Sequence, residues 1–123
     1  MLGKTLSRFV CAVSVCFFLA AQLAVAQERF SQLIEDLPLA PGLVERTDQS
    51  IVFDKPSGRL IELMAVSDQA DPAMIYRFYE RSLPPLGWQR KSDNIFSRQG
   101  ERLKISAEQA DKQTVVIFAL SPE

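Results

Sequence analysis

The stretch DPAMIYRFYERSLPPLGW, residues 71–88, decides the fold that the sequence predicts. Asp71 is a favoured residue at a helix N-terminus, because its carboxylate accepts hydrogen bonds from the unpaired N–H groups of the first turn. Pro72 suits the first helical position, where an N–H is not needed. The prolines at 84–85 cannot continue a helix, since each lacks an N–H and clashes with the preceding turn. The stretch therefore predicts a helix over residues 72–83.

The apolar side chains of this helix share one face, and the charged side chains lie on the other. The apolar set consists of Met74, Ile75, Phe78, Tyr79 and Leu83, whereas Arg77, Glu80 and Arg81 are on the polar side. This spacing is typical of a helix that packs its apolar face onto a core. We therefore interpret the methionine and aromatic residues as core residues rather than as a ligand-binding cluster.

Trp88, the only tryptophan of the chain, follows the helix in the sequence LGW at 86–88. A buried tryptophan removes up to about 250 Å² of surface from water, so a single one weighs heavily in a small core. We expect Trp88 to cover one end of the core. The alternative is an exposed ring that binds a sugar or a protein, which makes Trp88 a candidate partner contact.

Two strands are predicted before the helix and three after it. The stretch RLKISAE at 102–108 alternates apolar and polar residues, as in an antiparallel strand with one face buried. The stretch TVVIFAL at 114–120 is apolar on both faces and therefore fits a central strand. Turn residues at 55–58 (KPSG) and at 99–101 (QGE) separate neighbouring strands. The predicted strands cover residues 50–54, 59–67, 94–98, 102–108 and 114–120.

The predicted fold class is α+β: a mainly antiparallel five-stranded sheet packed by one principal helix, in the order ββαβββ. A short N-terminal helix is also expected over 28–37, because Phe30, Leu33, Ile34 and Leu37 have helical spacing. This helix either packs on the domain or docks a partner. If its apolar residues do not cover Val115 and Ile117 on the second sheet face, that face is expected to be an apolar interface.

Residues 1–26 have the features of a cleavable signal peptide. A basic start with Lys4 and Arg8 precedes an apolar stretch at 9–21 and the small-residue sequence AVA at 24–26. We expect cleavage between Ala26 and Gln27, export to the periplasm or the medium, and no membrane attachment afterwards. The alternative is an uncleaved anchor, but a spanning helix needs about 20 apolar residues. The predicted organisation is a signal peptide at 1–26, a short helix and Pro/Gly connector at 27–49, and one α+β domain at 50–123.

Charge and composition disfavour several classes of function. The chain has 14 basic and 15 acidic residues. Loss of Lys4 and Arg8 with the leader leaves 12 basic residues and a net charge of −3. No basic block is present, so no nucleic-acid partner is expected. The chain has no histidine, and both cysteines, Cys11 and Cys16, lie in the leader. These absences disfavour Cys and His nucleophilic chemistry and the commonest transition-metal sites, and no cofactor is predicted.

The remaining polar candidates have ordinary structural explanations. Arg59 faces Asp54 across the predicted hairpin and is a candidate anion-binding or partner-contact residue. The carboxylate pair at 35–36 falls on the surface of the short helix, and the pair at 68 and 71 falls where a helix is capped. A carboxylate-dependent hydrolase is therefore the least favoured interpretation.

Four motifs resemble a family of small secreted proteobacterial proteins of unknown function. They are PGL at 41–43, FDxPxGR at 53–59, FYxxxLPxLGW at 78–88 and RxGExL at 98–103. The motifs consist of turn and core residues, so the resemblance implies a shared fold and supplies no activity, substrate or catalytic residue.

The sequence favours a small exported domain that acts as a non-enzymatic binding or accessory protein of the bacterial cell envelope, with a protein partner. The alternative is a carrier of a small hydrophobic ligand. Its pocket would lie between the sheet and the helix and would be lined by Ile75, Phe78, Tyr79 and Phe118.

Overall fold

The order of the secondary structure is βββαββββ in a computed structural model that describes residues 29–123. The expected leader, its cysteines and the cleavage site at Ala26–Gln27 lie outside the described residues. The elements are β1 (Val44–Glu45), β2 (Ile51–Lys55), β3 (Gly58–Ser67), α1 (Pro72–Ser82), β4 (Gln89–Ser92), β5 (Ile95–Arg98), β6 (Glu101–Ala110) and β7 (Gln113–Pro122).

The strands form one sheet in the order β1-β3-β7-β6-β5-β4, and all of its pairings are antiparallel. β2 also pairs with β3, so β1 and β2 lie one after the other along the same edge. β7 is central, as predicted, between the two other long strands. The predicted α+β class and mainly antiparallel sheet are therefore confirmed.

The prediction of five strands is wrong, because the sheet has seven. β1 has only two residues and pairs with β3 through Val44 and Glu45. β4 reads QRKS, and all four of its residues are exposed. Neither strand has the alternation of apolar and polar residues that marks a strand in a sequence.

The prediction of a short N-terminal helix is also wrong. Residues 32–36 form bends and turns, and Phe30 pairs with Pro38 in an isolated antiparallel bridge. The Ser31 hydroxyl accepts hydrogen bonds from the N–H groups of Leu33 and Ile34, at 3.1 and 2.9 Å. Serine hydroxyls compete in this way with helical hydrogen bonds, and the segment is too short to resist such competition.

The core lies between α1 and one face of the sheet. α1 begins as predicted, with Asp71 accepting a hydrogen bond from the N–H of Met74 at 2.8 Å and Pro72 in the first turn. The loop at 29–43 packs on the same side, with Ile34, Leu37 and Leu43 each 0% exposed. No helix within residues 29–123 combines the length and the apolar character needed to cross a bilayer.

Candidate functional site

The two faces of the sheet have different environments, and strand register shows which residues share a face. Side chains directly opposite each other in an antiparallel pair point to the same side. In β7, Val116, Phe118 and Leu120 are buried on the α1 side. Their neighbours on the other side, Val115 and Ile117, are half-buried.

We call the side away from α1 the open face, because neither α1 nor the 29–43 loop covers it. The loop packs against α1 instead: the Tyr79 hydroxyl donates to the Pro38 carbonyl at 2.7 Å and accepts from the Ala40 N–H at 3.2 Å. Phe30 and Leu33 therefore do not cover Val115 and Ile117. The condition under which the sequence predicts an apolar second face is met.

Most side chains on the open face near the β1–β2 edge are apolar. Val44 lies opposite Val66, Ile51 opposite Glu62, and Phe53 opposite Leu60. The apolar set consists of Val44, Ile51, Phe53, Leu60, Met64, Val66, Val115, Ile117 and Ala119. Glu62 interrupts this set, and on β6 the face becomes polar at residues 102, 104, 106 and 108.

The greatest apolar exposure of the open face is in β2, at the edge of the sheet. Ile51, Val52 and Phe53 are 49%, 54% and 57% exposed. Ile51 and Phe53 point to the open face, and Val52, opposite Ile61, points to the α1 side. Ile51, Phe53, Leu60 and Ala119 also line a shallow depression of about 280 Å³.

Trp88 is buried at the end of the core and is only 2% exposed. The Arg98 guanidinium lies over its ring, 4.5 Å from the ring centroid. Arg98 also donates to the Leu86 carbonyl at 3.1 Å, so one cation holds both the ring and the LGW turn. The indole N–H has no hydrogen-bond partner among residues 29–123. The ring thus occupies the position expected of a core residue and presents almost no surface to a partner.

Arg59 is held by a carboxylate from another strand. Its Nε and Nη2 atoms each donate to Glu101, at 2.9 Å. The hydrogen bonds from Arg59 lower the pKa of the Glu101 carboxyl, and those to Glu101 raise the pKa of the guanidinium. Asp54 is the strand partner of Arg59, as expected from the hairpin, but the ion pair is with Glu101. A paired guanidinium is a weak anion site, because a ligand must compete with Glu101.

The other candidate residues do not converge on a reactive site. Glu35, Asp36 and Asp68 are exposed, and Asp71 caps α1. No group of three or more acidic, histidine or cysteine side chains within residues 29–123 has the geometry of a metal site.

The space between α1 and the sheet, where the alternative of a hydrophobic-ligand carrier places its pocket, is filled by side chains. Ile75, Tyr79 and Phe118 are each at most 1% exposed. The Tyr79 and Phe118 rings pack edge to face with centroids 5.1 Å apart. Phe78 packs edge to face on Tyr79, with ring centroids 5.0 Å apart, but it is only partly buried and its other side faces outward along α1.

An apolar groove runs along that outer side, between α1 and the loop at 38–42, and we call it the α1 groove. It consists of two depressions of about 590 and 490 Å³ that share Pro41, Phe78 and Ser82. Met74, Arg77 and Arg81 line the first depression, whereas Phe30, Leu39 and Leu86 line the second. Sequence reasoning missed this groove, because its wall is the Pro/Gly connector, and the packing of a connector on α1 cannot be read from local sequence.

Comparisons with protein-family models, with curated proteins and with solved structures found no match to this chain. Any function must therefore be argued from the two surfaces described above, the β2 edge with its open face and the α1 groove.

Proposed function

We propose that this protein is a non-enzymatic binding module of the bacterial cell envelope, exported after cleavage between Ala26 and Gln27. It binds a partner protein by pairing an extended segment of that partner with the outer edge of β2. The observation that carries the proposal is the apolar, half-exposed run of Ile51, Val52 and Phe53 at that edge.

The two edges of the sheet differ in how they are protected. β4 forms one edge and contains Arg90 and Lys91, with every residue exposed. Charged residues of this kind commonly keep an edge from pairing with other chains. On the opposite edge, β2 pairs with β3 alone among the described strands, and its first three residues are apolar. An apolar edge with free backbone groups favours the addition of a strand.

A strand added beside β2 would extend the open face. Alternate side chains of the partner would lie next to Ile51 and Phe53, beside the shallow depression that these residues share with Leu60. Covering the exposed half of each side chain contributes about 1 kcal/mol, on the scale of 1.5–3 kcal/mol for complete burial. The expected partner segment therefore alternates apolar and polar residues.

Site-specific photocrosslinking in the native envelope tests the proposal. A photoreactive residue replaces Phe53 in one variant and Lys91, on the opposite edge, in the matched control. We expect a defined adduct from position 53 alone. The crosslinked segment, made as a peptide, should bind the wild-type protein and bind Phe53→Lys at least ten-fold more weakly, with Lys91→Glu unchanged.

Two results would overturn the proposal. The first is the absence of any adduct at position 53, or equal binding of the peptide to wild type and Phe53→Lys. The second is an adduct with another copy of this chain, together with a dimer in sedimentation that Phe53→Lys dissociates. In that case a second copy, and not a partner protein, occupies the edge.

A further inference from the structure

We infer that the α1 groove binds a single-chain amphiphile with an anionic head group, the head lying at Arg77 and Arg81. This inference concerns a different surface from the β2 edge and does not depend on the proposed protein partner.

Within residues 29–123, the exposed large apolar residues fall into two clusters, and one of these clusters lines the groove. Val44, Ile51, Val52 and Phe53 belong to the β1–β2 edge and have been assigned above. The others are Phe30, Met74 and Leu86, at 45%, 48% and 38% exposure, and all three line the α1 groove. An apolar cluster of this kind, beside a cavity, marks a binding surface.

Two cations without an ion-pair partner in the described part of the chain lie at one end of the apolar floor. Arg77 and Arg81 line the first depression, and neither forms an ion pair with a carboxylate among residues 29–123. The other arginines of α1's neighbourhood differ: Arg90 is paired with Glu80, and Arg98 approaches Asp36. Among residues 29–123, no acidic residue lines either depression. The groove is therefore complementary to a negative charge.

The two arginines are four residues apart on one helix. Like charges at this spacing repel and weaken a helix slightly. Neither guanidinium forms an ion pair within residues 29–123, and an anionic group between the two would lower the repulsion. Guanidinium groups also bind carboxylate and phosphate oxygens in a two-pronged geometry, which favours these groups as the head.

The apolar part of the groove gives the ligand a direction. From Arg77 and Arg81 the floor passes Phe78 and Pro41 into the second depression, whose walls include Leu39 and Leu86. The far end has a single guanidinium, Arg29, whose Nη2 atom already donates to the Leu43 carbonyl at 3.0 Å, whereas two guanidinium groups line the first depression. The head group therefore belongs at the α1 arginines and the apolar tail at the loop. Each depression is within the range of about 300–1,000 Å³ typical of small-ligand sites, which fits one chain.

The groove has a fixed width, as a binding site needs. Pro41 and Gly42 form a tight turn in which the N–H of Leu43 donates to the Ala40 carbonyl at 3.0 Å. Gly42 has φ = 80°, a conformation that glycine adopts without strain. The Tyr79 hydroxyl, on α1, bonds the backbone of Pro38 and Ala40, so it fixes the loop wall of the groove to the helix wall.

Calorimetric titration of the purified protein with dodecanoate and dodecyl phosphate, below their micelle concentrations, tests the inference. Dodecyl maltoside and dodecyltrimethylammonium have the same tail with a neutral and a cationic head. We expect saturable one-to-one binding of an anionic amphiphile and at least ten-fold weaker binding of the other two. Preference between the two anionic probes identifies the head as a carboxylate or a phosphate.

Two pairs of variants locate the site. Arg77→Gln and Arg81→Gln should each weaken binding at least ten-fold, whereas Arg102→Gln on the open face should not. Met74→Glu places a carboxylate in the groove and should weaken binding, whereas Gln113→Glu adds the same charge at an exposed position of β7 outside the groove and should not. Trp88 fluorescence confirms that each variant is folded.

The inference is overturned if neither anionic probe saturates, if the neutral or the cationic probe binds equally well, or if the variants of a pair behave alike. None of these results tests the proposed strand addition at the β2 edge, because the substitutions leave β2 unchanged.

Discussion

Tyr79 links the middle of α1 to Pro38, because its buried hydroxyl donates to the Pro38 carbonyl oxygen at 2.7 Å. The same hydroxyl accepts the N–H of Ala40 at 3.2 Å, so it satisfies two backbone groups of the loop. Burial raises the pKa of the Tyr79 phenol, which keeps the hydroxyl protonated and able to donate. One side chain thus holds the 29–43 loop in the core and sets the α1 groove.

Tyr79→Phe should lower the free energy of unfolding by about 1–3 kcal/mol, because it leaves the Pro38 carbonyl and the Ala40 N–H buried without a partner. Urea unfolding followed by Trp88 fluorescence measures the change. Tyr76→Phe is the matched control, since the Tyr76 hydroxyl also bonds both backbone groups of Ala107 but is only half-buried. Equal losses in the two variants would contradict the role given to Tyr79.

Glu101→Gln should remove a pH-dependent part of the stability. Hydrogen bonds from Arg59 lower the folded-state pKa of Glu101, so its contribution is present above the unfolded pKa of about 4.3. The contribution is lost as the pH falls through the lower, folded-state pKa. Because the Arg59 side chain is 36% exposed, solvent screens the pair, and we expect a loss of no more than about 1 kcal/mol at pH 7.

Unfolding of the wild type and Glu101→Gln between pH 7 and pH 3 tests this prediction. The difference in free energy should shrink as the pH falls below about 4.3, because the unfolded chain then binds a proton at Glu101 that the folded chain resists. As the control, Glu108→Gln removes the same charge from an exposed position on β6 that forms no ion pair with residues 29–123. A difference between wild type and Glu101→Gln that stays constant with pH would contradict the assignment.

The sequence predicted the elements whose local signals agree with their packing. Asp71, Pro72 and the prolines at 84–85 mark the ends of α1, and the alternation at 102–108 marks β6. These signals remain valid in the structure because the apolar faces that they define are the faces that become buried.

The prediction of a helix over residues 28–37 was wrong, because helical spacing shows which side chains are apolar but not which backbone conformation buries them. Ile34 and Leu37 are in the core as the pattern suggests, yet Ser31 and the bridge between Phe30 and Pro38 hold them in a loop. β4 was missed because an exposed edge strand needs no apolar residue. Its pairing with β5 depends on the backbone and on the turn at Asn94, which has φ = 61°.

The candidate surfaces depended on tertiary information that no local pattern contains. Phe53 and Phe96 are both strand phenylalanines in the sequence, yet Phe53 is 57% exposed and Phe96 is 1% exposed. Which strand lies at an edge is decided by topology, and topology also places Arg77 and Arg81 opposite the loop. The sequence therefore predicted an apolar interface only for the case in which Phe30 and Leu33 pack elsewhere.

Arg98→Ala should expose the Trp88 ring. The guanidinium lies 4.5 Å from the ring centroid, and a cation in this position contributes about 0.5–2 kcal/mol. We expect a lower free energy of unfolding by about that amount and stronger quenching of Trp88 emission by acrylamide. Arg90→Ala is the control, because Arg90 pairs with Glu80 and Asp93. Strong quenching already in the wild type would contradict the burial of Trp88.

The stability costs of Phe53→Ala and Phe96→Ala should differ, because Phe53 lies on an exposed surface and Phe96 lies in the core. Phe96→Ala should cost about 3–5 kcal/mol, because it leaves a cavity where the ring was fully packed. Phe53→Ala should cost less than about 1 kcal/mol, because water already contacts more than half of the ring. Thermal and urea unfolding of both variants measure the two costs under identical conditions. A loss at Phe53 as large as that at Phe96 would mean that the open face is covered in solution, either by a second copy of this chain or by residues 1–28.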